Sequence, residues 1–411
     1  MSVLPQSGEP ESVGMSSERL SRIDQHFRRY LDDGRLAGWQ IVVARRGTVV
    51  HHSCEGRRDL ESGAEVTADT IWRIFSMTKP VTAVLALQLW EEGAFELNDP
   101  LHRYLPEFAD TKVFRSGSST APVLEPQTHP IRLWHLFAHT AGLTYGFMYA
   151  HPVDEMYRRD GFEWGTPKGL DLAAMCEKLA ALPLLFQPGS EWAYSMGLDV
   201  LGRVLEVVSG RPLDELMRTR LLEPLGMHDT RWWVPEDQQH RLATLYGPHP
   251  VTRAAVPLGR MGEAAKRPPT ALMGGGGLTS TAHDYHRFTQ MLVRGGELDG
   301  VRILSPRTVR RMASNHLPGN ADLTTFGRPL FSETDFDGMG FGLGVSVTID
   351  PSAAKVPGNV GDFAWGGAAS TSFFVDPAED LTASFFTQLL PSSTHPIRSQ
   401  LRQMVHQAIV D

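Results

Sequence analysis

Ser76-Met77-Thr78-Lys79 stands at the front of an apolar run, Val81 to Trp90, and its two polar ends can do chemistry together. A serine hydroxyl is a weak nucleophile until a positioned base takes its proton. On a helix, residues i and i+3 share a face, so Ser76 and Lys79 meet without help from the rest of the fold. That is the geometric sense of S-x-x-K, a Ser-Lys variant of the nucleophile–base pair. The competing reading makes Ser76 an ordinary helix cap, since hydroxyls satisfy free N–H groups at helix starts. Lysine is scarce here: the chain has six, at positions 79, 112, 168, 178, 266 and 355. A second copy of the pattern, Ser352-Ala353-Ala354-Lys355, lies between Pro351 and Pro357. No helix runs far there, because proline lacks the N–H and clashes with the preceding turn. It is the accidental copy. The first copy has Pro80 in its opening turn and Gly93 as a C-terminal cap, both marks of a helix.

A Ser-Lys pair needs a further proton-handling group and an oxyanion hole. The stretch "PGSEWAYSMGLDVLGRVLEVVSG" puts Tyr194 just ahead of an apolar helix, where a loop tyrosine can reach a neighbouring site. Its alternative is structural, with the ring packed and the hydroxyl bonded elsewhere. "WGGAAST" (365–371) ends one strand and opens another. Gly366 and Gly367 would permit the close backbone approach that an oxyanion donor requires, and a plain β-turn is the alternative. Metal chemistry reads poorly. His283-x-x-His286 lacks a third ligand and the H-E-x-x-H pattern, and is expected to be a solvated helix face. No G-x-S-x-G surrounds any serine. "MGGGGLTS" (273–280) is not followed by the Gly-Lys-Ser/Thr of a phosphate loop. Neither a metal nor a cofactor is expected.

The elements that would carry these residues follow from periodicity. Leu20, Ile23, Phe27 and Leu31 recur at helical spacing between Ser16 and Gly34. "WQIVVARRGTVVHHSCEG" reads as two strands about an Arg46-Gly47 turn. From 76 to about 315 the chain reads as mostly helical, broken by Pro/Gly-rich loops at 111–130, 145–169 and 245–272. Strand character returns in 341–350, 362–367, 370–377 and 381–388, with turn residues at 376–380. A final helix closes the chain. Strands from both ends join most simply into one antiparallel sheet carrying the terminal helices. The expected organisation is α+β. Residues 1–75 and 316–411 form a discontinuous sheet-bearing lobe, 76–315 form an inserted, mainly helical lobe, and the site lies between them.

Composition bounds the function. The chain has 411 residues, 41% hydrophobic and 21% charged, with a net charge of -8. That is an ordinary globular composition. No block of Lys and Arg marks a nucleic-acid surface. Two cysteines, Cys54 and Cys176, make no disulfide framework, so a reducing, cytoplasmic setting is expected. No leader peptide is visible at the N-terminus and no run of about 18 apolar residues marks a membrane span.

Taken in order, Ser76-Met77-Thr78-Lys79, Tyr194-Ser195 and Trp365-Gly366-Gly367 resemble the serine β-lactamase and penicillin-binding-protein superfamily, on its class C β-lactamase branch. "LFAHTAGL" (136–143), "MGGGGLTSTAHDYHRF" (273–288) and the "FFVDP" strand look the same way, so the resemblance covers nearly the whole chain. Two motifs depart. Class C β-lactamases have Tyr-x-Asn where this chain has Tyr194-Ser195-Met196, and Lys-Thr-Gly where it has Trp365-Gly366-Gly367. The Trp-Gly-Gly form is similar to family VIII carboxylesterases and related polyketide-tailoring acyltransferases. The resemblance implies that Ser76 attacks an ester carbonyl and that Lys79 and Tyr194 act as one acid–base unit. It also makes the N–H groups of Ser76 and Ala368 the oxyanion hole. A lysine at position 365 would hold a substrate carboxylate by a charge-assisted bond, which Trp365 cannot do. The expectation is therefore a carboxylesterase for short-chain, neutral small-molecule esters. The alternatives are an acyltransferase, a β-lactamase or D-Ala-D-Ala peptidase, and an inert penicillin-binding-type receptor. Oligomeric state stays open.

Overall fold

The structure is a computed structural model and describes residues 4, 7–328 and 336–411. The first residues of the stretch read for a leader, and 329–335 of the second sheet-bearing segment, lie outside the described residues. Arg46 and Gly47 both take left-handed backbone, with φ of 51° and 75°. That pair of conformations is what a two-residue hairpin turn demands. They join β1 (Gly38–Arg45) to β2 (Thr48–Gly56). β3 (Ile71–Arg73) and β4 (Thr279–Thr281) pair with each other, Trp72 opposite Ser280. Later come β5 (Met339–Phe341), β6 (Ser346–Thr348), β7 (Phe363–Gly366), β8 (Ser372–Asp376) and β9 (Leu381–Phe386). One antiparallel sheet of seven strands runs β5-β6-β7-β8-β9-β1-β2. Its seam joins the two ends of the sequence, with Gln40 opposite Phe386 and Arg45 opposite Leu381. The architecture is thus the α+β one expected, a seven-stranded antiparallel sheet with helices packed on it.

Side-chain alternation explains what covers each face. Trp39, Ile41, Val43, Phe374 and Phe385 pack with Leu20, Ile23 and Phe27 of α1 (Ser17–Asp32). The C-terminal helix supplies Leu401 and Val405 to the same core. Ser16 caps α1, its hydroxyl accepting the Arg19 N–H at 3.3 Å. Val42, Ala44, Phe373, Val375 and Phe386 point the other way, into a larger core that includes α2 (Thr78–Glu91). Both faces of the central strands are covered, and every residue of β1 is buried. α2 is buried on all sides from Thr78 to Leu89, which is why its sequence has no polar stripe. α3 (Gly197–Ser209) packs on it, and α4 (Ala282–Val293) lies on the sheet over β9. The chain closes with α5 (Ile397–His406).

Three loops expected to be irregular carry regular structure. A hairpin of 113–117 with 122–125 fills the first, a helix over Pro152–Arg159 the second, and a hairpin of 246–248 with 255–257 the third. Their strands are short and half-exposed, so the apolar alternation that announces a strand is missing. Conversely, 341–350 is not one strand. Gly344 turns at φ 86° and the segment folds back as β5 and β6.

Candidate active site

Phe75 precedes the serine and holds a left-handed φ of 43°. A bulky residue pays strain for that conformation, and such strain gathers at functional sites. The turn Phe75–Met77 then runs straight into α2 and presents the Ser76 hydroxyl at its N-terminal end. Lys79 is completely buried one turn along. Its Nζ donates to Ser76 Oγ at 3.3 Å, to Tyr145 Oη at 3.0 Å and to the Gly275 carbonyl at 2.6 Å. Three oxygens thus surround Nζ. Tyr194 Oη donates to Ser76 Oγ at 2.6 Å. The three residues singled out from sequence therefore converge on one oxygen.

Tyr194 is held by rings on several sides. His139 lies 4.9 Å away, Tyr145 5.2 Å and Trp365 5.5 Å, and Lys79 Nζ stands 4.6 Å above its ring. His139 is fully buried, which pushes its pKa well below the ordinary histidine value, and its Nδ1 lies 3.0 Å from Ser195 Oγ. A neutral imidazole thus backs the tyrosine.

Behind Lys79 sits an acid that sequence reasoning missed. Asp199, in the first turn of α3, is 1% exposed. Its Oδ1 accepts the Gly275 N–H at 2.6 Å, and its Oδ2 lies 3.5 Å from Tyr145 Oη. Burial raises its pKa to about 6, against the pull of Lys79 and the Gly275 N–H. Burial, with the Asp199 charge, also holds Tyr145 well above the usual tyrosine range. The glycine run makes this contact possible. A Cβ on Gly274 would sit 2.5 Å from the Leu198 carbonyl, and one on Gly275 2.6 Å from the Asp199 carboxylate. The glycines of "MGGGGLTS" let backbone press against the start of α3. A lone Asp in the apolar "GLDVLGRVL" was the available signal for Asp199. Tyr145, in "GLTYGF", carried none.

Trp365, the next-to-last residue of β7, is 8% exposed and packed edge-on against Phe341 at 5.2 Å. Gly367 lies so close to the Ile74 carbonyl and the Thr371 hydroxyl that a Cβ would be driven into both. Arg398 of α5 reaches over Gly366, where a Cβ would strike its guanidinium, and donates to the Gly367 carbonyl at 3.2 Å. The strand end carrying Trp365, Gly366, Gly367 and Ala368 thus sits beside the turn that carries Ser76. All five residues line one cleft of about 800 Å³, together with Tyr145 and Tyr194.

The remaining candidates lie elsewhere. Ser352 and Lys355 are exposed; the helix there spans only Pro351–Ala354, and Lys355 Nζ donates to the Ser352 backbone carbonyl, not to its hydroxyl. His283 and His286 are half-buried on α4, not fully solvated as expected, and burial lowers the His286 pKa to about 3. Among the described residues no group of three metal-ligating side chains occurs. Cys54 and Cys176 are free thiols. Among the described residues no helix is long and apolar enough to cross a membrane.

A model of the family named Beta-lactamase matches residues 23–406. The chain belongs to this family. It is a serine hydrolase of the β-lactamase-like type, as its relatives also indicate. Esterase EstB of Burkholderia gladioli is 31% identical over 414 residues, covering 97% of this chain and 98% of its own. A protein of Mycobacterium tuberculosis designated uncharacterized is 37% identical over 369 residues, 89% of each chain. Among solved structures, EstCE1, described as a hydrolase with promiscuous acyltransferase activity, superposes with a TM-score of 0.79 at 27% identity, covering 96% of this chain and 99% of its own. The resemblance to family VIII carboxylesterases agrees with these relatives.

Proposed function

We propose that this member of the β-lactamase family is a carboxylesterase that cleaves neutral small-molecule esters through an acyl-enzyme on Ser76. The observation that carries the reading is the meeting of Tyr194 Oη and Lys79 Nζ on one serine oxygen, at 2.6 and 3.3 Å. Ser76 Oγ attacks the ester carbonyl and its proton passes to the Lys79/Tyr194 unit. The N–H groups of Ser76 and Ala368 receive the oxyanion, each such donor being worth roughly 3 kcal/mol. The same unit returns the proton to the departing alkoxide, and water then releases the acid and restores the serine. Trp365 offers a ring where a carboxylate anchor would otherwise stand, which favours neutral esters over penicillins. No cofactor takes part. The sheet-bearing segments 1–75 and 316–411 and the helical segment 76–315 act as the two walls of the site, and the protein works in the cytoplasm.

The test is a panel of p-nitrophenyl esters from acetate to palmitate with nitrocefin alongside. Short-chain esters are turned over and nitrocefin is not; faster turnover of nitrocefin overturns the reading in favour of a β-lactamase. Acyl transfer is the second reading, supported by the activity named for EstCE1. Product partition with an added acceptor alcohol separates it from hydrolysis. An inert receptor would leave Ser76 unlabelled by a fluorophosphonate probe.

A further inference from the structure

Three aromatic rings stand one behind another in the cleft, and the proposed mechanism assigns a step to none of them. Tyr145 and Phe147 stack at 4.7 Å with 20° between their planes, and Phe147 and Trp164 repeat the step at 5.1 Å and 20°. The inner end of the row touches Lys79, whose Nζ donates to Tyr145 Oη at 3.0 Å. The outer end, Trp164, is 49% exposed. All three rings line the cleft that holds Ser76. A large ring left open to water is the informative kind of surface residue. Phe147 packs against the main core, whereas Trp164 stacks on Phe147 and keeps about half of its surface in water, so its ring adds less burial to the fold. Phe147 covers one face of Trp164, and no other aromatic ring among the described residues covers the second.

We infer that this row is the binding rail for the alcohol half of the substrate, and that the preferred alcohol carries a planar or fused ring. The inference rests on the esterase reading and deepens it. If Lys79 and Tyr194 return the proton to the leaving alkoxide, the leaving oxygen must lie beside them. The carbonyl oxygen, by contrast, points to the Ser76 and Ala368 N–H groups. The alcohol therefore departs on the side where the row of rings begins. A flat guest continues the stack on the open face of Trp164 or packs edge-on against the row, the two geometries aromatic pairs prefer. A cleft of about 800 Å³ also leaves most of its volume empty around a short-chain ethyl ester.

The experiment compares naphthalen-2-ylmethyl butyrate, octyl butyrate and ethyl butyrate on the wild type and on Trp164→Phe, Trp164→Leu and Phe147→Leu. The readout is the kcat/KM ratio of the naphthyl ester over the ethyl ester. Trp164→Leu and Phe147→Leu should lower that ratio about ten-fold, chiefly through KM, while Trp164→Phe keeps most of it. Octyl butyrate should follow the ethyl ester. A ratio unchanged in Trp164→Leu overturns the rail, and an equal loss for the octyl and naphthyl esters overturns its preference for rings. Should the wild type hydrolyse none of the three esters, the esterase reading itself fails, a result distinct from both.

Discussion

Replacing Asp199 by Asn keeps the shape of the side chain and removes its charge, which makes it the sharpest probe of the electrostatics behind Lys79. Burial lifts Asp199 from an ordinary 3.8 to about 6. Between those two values the folded protein holds a proton that the unfolded chain has released. The neutral carboxyl thus favours folding below pH 3.8, and that contribution is lost as pH rises through 6. A displacement of about two units corresponds to roughly 3 kcal/mol. Asparagine never ionises, and part of this change already lies below pH 4.5, so the stability difference between variant and wild type should shift by about 2 kcal/mol in the variant's favour from pH 4.5 to pH 7.5. Part of the gain at high pH is offset, because the Gly275 N–H exchanges a charged acceptor for a neutral one, at a cost of about 1 kcal/mol. With an unfolding entropy near 2 cal/mol/K per residue, 2 kcal/mol in a chain of 411 residues amounts to roughly 2–3 °C. Thermal unfolding followed at several pH values, on both proteins, reads this directly. The same residue should set an inflection near pH 6 in kcat/KM for p-nitrophenyl butyrate. Below it the wild type slows, because the carboxyl no longer provides counter-charge to Lys79, and the variant shows no bend. Parallel Tm curves for the two proteins, or an inflection near 6 that survives in the variant, would refute the assignment.

Ser76→Ala should abolish esterase activity with an unchanged Tm, while Ser352→Ala should change neither; the reverse outcome would mean the exposed copy of the motif is the functional one. Lys79→Ala and Tyr194→Phe should each lower kcat by about 10²–10⁴-fold, and the double variant should lose little more than the worse single, since both serve one proton transfer. Near-normal turnover by Tyr194→Phe in a p-nitrophenyl acetate assay would reduce that tyrosine to a packing role. Gly275→Ala puts a Cβ 2.6 Å from the Asp199 carboxylate, and should cost about 1–3 kcal/mol in thermal unfolding while displacing the carbonyl that receives Lys79.

What could be read from the sequence is what short-range geometry encodes. S-x-x-K is a local pattern, and a helical i, i+3 pair needs no tertiary knowledge. Arg46-Gly47 announces its own hairpin. The sheet seam was inferable because strands at both ends had no other partner of their kind. Asp199 and Tyr145 were hidden for the opposite reason: their roles come from contacts with Gly275 and Lys79, far away in sequence, and nothing in the neighbouring residues records that. The half-burial of His286 leaves no mark in the sequence, because an imidazole on a helix looks the same whether its face is open or partly covered. The tandem glycines at 274–277 do not fit a phosphate loop in sequence, and their meaning, a helix pressed against them, is a long-range contact no local pattern records.

The pairing of β1 with β9 also has a consequence for how the chain is made. Gln40 waits for Phe386, and until that residue leaves the ribosome the hairpin of β1 and β2 has an open hydrogen-bonding edge. At about 5–20 residues per second the wait is roughly 20–70 s. During it, Ile41 and Val43 lack the C-terminal strands and helix that bury them in the finished protein. An unpaired apolar edge is a template for joining another chain. The yield of intact protein from a fast, crowded expression host is therefore set by how well that nascent hairpin is shielded. Slower translation makes the exposure longer, whereas lower protein concentration or a holding chaperone makes it safer.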